Sequence, residues 1–66
     1  MYNSQADINA TKMRIAIEGV EKSYQPMFSL VAELDQQNFT VDAASLQAIL
    51  DSLKLLMATI KSDVAL

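Results

Sequence analysis

The chain has 66 residues and contains neither cysteine nor histidine. Disulfide staples are therefore excluded, a zinc cage is strongly disfavoured, and thiolate or imidazole catalysis has no group to work with. Eight acidic and five basic residues give a net charge of −3, which offers no broad basic field to nucleic acid.

Hydrophobic residues make up 52% of the chain, with one glycine, one proline and a mean hydropathy of +0.17. That is too apolar for disorder and rich for an isolated hairpin. A domain this short buries only about 60% of its unfolded surface, so association is expected to supply the missing core.

The N-terminal MYNSQADIN has no basic region and no apolar stretch, which argues against a secretory signal. No uninterrupted apolar run approaches the roughly 18–20 residues of a membrane span. The expectations are no transmembrane segment and a cytoplasmic chain, although signal-independent export would leave no trace in the sequence.

Ser4-Gln5-Ala6-Asp7 opens the first element, a serine cap with an acid three residues on. From there Ala6, Ala10, Met13, Ile17, Val20, Tyr24, Met27, Val31 and Leu34 follow in alternating steps of four and three. This is a heptad seam with Ala10, Ile17, Tyr24 and Val31 at a and the others at d. The register holds across Pro26, which falls at the outward c position. The spacing predicts one helix over about 5–36, kinked near Pro26, with a break at the proline as the alternative.

Asn38 tolerates the left-handed conformation that closes helices, with Phe39 placed to pack on Leu34. Thr40 then reads as the N-cap of a second helix. Residues 37–40 are thus a tight turn between antiparallel helices.

The second helix, about 41–64, carries Leu46, Leu53 and Ile60 at a, and Ile49 and Leu56 at d. Ala43, Leu50, Met57 and Val64 sit at e, and small Ser45, Ser52 and Thr59 at g. A face three columns wide suits a bundle better than a two-stranded zipper. The fold expected is all-α: one antiparallel helical hairpin over residues 1–66, pairing into a four-helix bundle.

No catalytic, cofactor-binding or metal-binding residues emerge, and no small-molecule substrate is indicated. Most acids fall on outward faces, Asp42 and Asp63 occupying the d places at the two ends of the second helix, and Arg14–Glu18 and Glu18–Lys22 make i,i+4 pairs. Ile8 and Ile15 lie at f, opposite the seam, and Leu55 at c of the second helix. Phe28 and Leu30 flank the seam at e and g. These five, with Met27 and Met57 beneath, are the candidate partner-binding residues.

The function expected is a non-enzymatic interaction module, an adaptor, chaperone or assembly subunit acting by helix packing on a protein partner or on itself as a homo-oligomer. In size and format it resembles small chaperones and filament subunits of bacterial secretion machines. The alternative is a regulator binding RNA or DNA through Lys12, Arg14 and Lys22, a hairpin format also used by small plasmid-copy-control proteins. Three cations diluted by Glu18 and Glu21 disfavour nucleic acid.

Overall fold

The computed structural model describes residues 4–64, and the regular structure among them is all α-helix. Three helices run in chain order: α1 (Gln5–Lys22), α2 (Tyr24–Gln36) and α3 (Thr40–Asp63). The expected domain limits 1–3 and 65–66 lie outside the described residues.

Ser4 caps α1 as its spacing suggests. Its backbone is extended, and its Oγ accepts from the Asp7 N–H at 3.2 Å. The same hydroxyl donates to the Asp7 carboxylate at 3.0 Å.

The first rod is not one helix over 5–36. It is interrupted for one residue, and the interruption falls at Ser23 rather than at the proline. The reason lies in the backbone ladder. Pro26 has no N–H for the Lys22 carbonyl, and its ring crowds that same carbonyl. The chain gives way just after Lys22, where the Ser23 N–H and hydroxyl both turn to the Val20 carbonyl. Ser23 stays in the right-handed region, and Met27 N–H already reaches the Ser23 carbonyl at 3.2 Å. Pro26 becomes the third residue of α2, where a missing N–H costs little. The apolar register survives: Ile17 is buried, and Val20, Tyr24, Met27, Val31 and Leu34 are half-buried.

The turn closes as a Schellman motif. Asn38 takes φ 69°, Phe39 N–H donates to Leu34 O at 2.8 Å, and Asn38 N–H to Asp35 O at 3.1 Å. Phe39 itself remains largely exposed. Thr40 is the first residue of α3 and not its cap. Phe39 holds the cap position without a side-chain bond, and the connection spans 37–39.

The molecule is a flat rod whose Cα atoms extend 55 × 20 × 10 Å, with α2 packed along α3. Ile17, Ala43, Leu50 and Met57 form the buried core of the described residues, and among these Leu50 alone is fully enclosed, at 0% exposure.

One expectation is overturned by α3. The helix Thr40–Asp63 is long and apolar enough to cross a membrane: an 18-residue window has mean hydropathy 1.3, with 17% of it buried. Residues 43–60 carry only Asp51 and Lys54 as charges. Asp51, Lys54 and the serines break the apolar run, yet the leucines and isoleucines around them keep the mean high. The length and composition of α3 therefore contradict the expectation of no transmembrane segment.

Candidate interaction surface

Fully buried Leu50 fixes the inward direction of α3. At about 100° per residue, Lys54 and Gln47 lie roughly 40–60° to one side of it. Ile49 and Leu56 lie about 100–120° to the other. The hairpin therefore has two broad faces of different chemistry.

On the first face the α1–α2 rod and α3 are joined by polar rungs. Lys61 Nζ sits 3.1 Å from Glu21 Oε2. Lys54 Nζ stands 5.4 Å from the centre of the Phe28 ring. Near the turn, Phe28, Val31, Asp35, Ala43 and Gln47 line a common groove. Glu21, Phe28 and Asp35 step by sevens along the α1–α2 rod, and Lys61, Lys54 and Gln47 by sevens along α3. Arg14, Glu18 and Asp51 share this side by register.

The opposite face is apolar. It carries Leu30 from α2, with Ile49 and Leu56 from α3, exposed by 51%, 61% and 55%. Half-buried Met27, Leu34, Leu46, Leu53 and Ile60 continue it inward. Small Ser45, Ser52 and Thr59 border it, so a facing helix can approach closely. By register, Met13 and Val20 extend the stripe along α1. Its centre carries no charge: Asp42 and Asp63 fall at the two ends of α3, and Lys12 and Glu33 lie along the outer edge of the first rod.

The residues singled out from the sequence do not share one surface. Leu30 is on the apolar face and Met27 at its inner border. Phe28 is half-buried on the charged face, under Lys54. Met57 is core. Ile8 and Ile15 are exposed on the outer edge of α1, about opposite Ile17, and Leu55 on the back of α3. Lys12, Arg14 and Lys22 are all exposed but spread over roughly 160° of α1.

Sequence reasoning placed Ile49 and Leu56 in the seam, where the structure leaves them facing outward. Buried are the e residues Ala43, Leu50 and Met57, with the a residues half-buried. The available signal was the three-column width of the α3 face, since one antiparallel neighbour covers about two columns.

Comparison with protein-family models, curated proteins and solved structures finds no match to this chain.

Proposed function

We propose that the chain is a non-enzymatic protein–protein interaction module whose apolar face is completed by helices of a partner, giving a four-helix bundle. The observation that carries this reading is the segregation of charge. One face is laced by Glu21–Lys61 and Lys54–Phe28, while the other shows Leu30, Ile49 and Leu56 with no charge at its centre. A single layer of helices buries its stripe on one side only, and domains are built from at least two layers. Adjacent exposed side chains on a face whose centre is free of charge, such as Ile49 and Leu56, mark a contact surface, whereas isolated ones such as Leu55 do not.

Docking would be driven by burial, with each large side chain contributing roughly 1.5–3 kcal/mol when fully enclosed. The native mass of the tagged chain in its source cells tests this. Leu30→Asp and Ile49→Asp should release it from its assembly, whereas Leu55→Asp should not. Retention of the assembly by both face variants would refute the reading.

A second reading is favoured by the length and hydropathy of α3, which meet the demands of a bilayer. Spanning would take Asp51 and Lys54 into the hydrocarbon, at a cost of several kcal/mol. Recovery of the chain in the membrane pellet after alkaline carbonate extraction would favour it, and release to the supernatant would remove it.

A further inference from the structure

We propose that the occupant of the apolar face is a second copy of this chain, related by a two-fold axis along the long dimension of the hairpin. The proposal rests on the interaction-module reading and names its partner. Each α3 then lies against the α1–α2 rod of the other copy, with both turns at one end.

Three observations point to this occupant. The first is area. The 24 residues of α3 run about 36 Å, and the hairpin is 20 Å wide, so one face offers roughly 700 Å² per copy. Standard interfaces bury roughly 600–1,000 Å² per partner, and the face falls within that range, towards its lower end.

The second is neutrality. An apolar centre meets itself under any two-fold axis without a like-charge contact, and the charged face stays in water. A self-complementary patch is what a two-fold dimer requires. Ser45, Ser52 and Thr59, one heptad apart beside Ile49 and Leu56, leave room for a facing backbone.

The third is the position of the two end acids, which selects the axis. Were the axis to run across the hairpin, α3 would lie on its own image centred near Ser52. Asp42 is ten residues before Ser52 and Asp63 eleven after, so each would approach the other's counterpart and repel it. With the axis along the hairpin, α3 meets the other rod at its own level. Ile49 comes within about one turn of Leu30, and Leu56 faces small Ser23. Asp42 then lies beside Gln37 of the other copy, whose amide donates to Glu33 at 3.1 Å. Asp63 lies beside Ala16, with Lys12 one turn further along the same rod. Asp63 thereby gains a cation in place of another acid, and Asp63 is the acid that selects the axis.

The purified chain carries the test, and its lack of cysteine makes engineered thiols unambiguous. Light scattering should give twice the 7.3 kDa chain mass. A mixture of Leu30→Cys and Ile49→Cys should form a 30–49 disulfide between copies under mild oxidation, identified by peptide mass. A mixture of Ile49→Cys and Leu56→Cys should not form a 49–56 bridge. Ile49→Asp should weaken association about 100-fold or more, because a carboxylate would be buried unpaired, while Leu55→Asp should leave the mass unchanged. If Ile49→Asp fails to fold, the disulfide mixtures still decide. A helical monomer at every concentration overturns the second copy while leaving the module reading to its own assay in cells. A dominant 49–56 bridge overturns the axis.

Discussion

Lys61 holds Glu21 at 3.1 Å across forty positions of sequence, and this contact ties the end of α3 to the end of α1. Both side chains remain more than one-third exposed, at 44% and 36%. Water and salt screen such a pair, so its worth is no more than about 1 kcal/mol. Glu21→Gln should lower unfolding stability by that amount or less, and the loss should shrink in high salt. A denaturant titration showing more than about 2 kcal/mol would mean the pair is far drier than its exposure indicates.

The core is short enough for one residue to dominate it. Leu50→Ala should cost about 2–5 kcal/mol, since Leu50 is the only fully enclosed large side chain among the described residues. Leu55→Ala, five positions on and 73% exposed, should stay within about 0.5 kcal/mol of the parent. Thermal unfolding followed by circular dichroism separates the two. Equal losses would contradict the inward direction assigned to α3.

Gly19 is helical, and a Cβ built there meets nothing within 4 Å. Gly19→Ala should therefore stabilise α1 by about 0.5–1 kcal/mol, by reducing the freedom of the unfolded chain. An increase in helical ellipticity and in Tm is the expected readout. Destabilisation would show that another chain comes close at this position.

The Tyr24 hydroxyl is buried without a hydrogen-bond partner among the described residues. An unpaired buried hydroxyl costs about 1–3 kcal/mol, so Tyr24→Phe should leave stability unchanged or raise it. A loss above about 1 kcal/mol, measured on the purified chain by denaturant titration, would mean that the hydroxyl finds a partner on assembly.

Much of this architecture was legible in the residues. Ser4 and Asp7 announced the first cap, and Asn38 the left-handed closure, because both roles depend on a few atoms close in sequence. The seam from Ile17 to Leu34 was legible because its period survives the interruption at Ser23. The place of the interruption was not, because the ring of Pro26 acts on the carbonyl of Lys22, one turn upstream. The outward turn of Ile49 and Leu56 was also hidden. Periodicity shows which columns of a helix are apolar, while the crossing geometry of its neighbour decides which of them are covered. The candidate surface inherited that gap: Leu30 was found from its register, while Phe28 and Met57 were already engaged within the hairpin.

Thiol labelling of single-cysteine variants in intact cells tests the two-faced account most directly, since the parent chain has no cysteine of its own. With the apolar face covered, Ile49→Cys and Leu56→Cys should react with a maleimide at least tenfold more slowly than Leu55→Cys. Denaturation should bring all three to a common rate. Equal labelling of all three before denaturation would show that the face stands open to water, contradicting the claim that this chain works by having it covered.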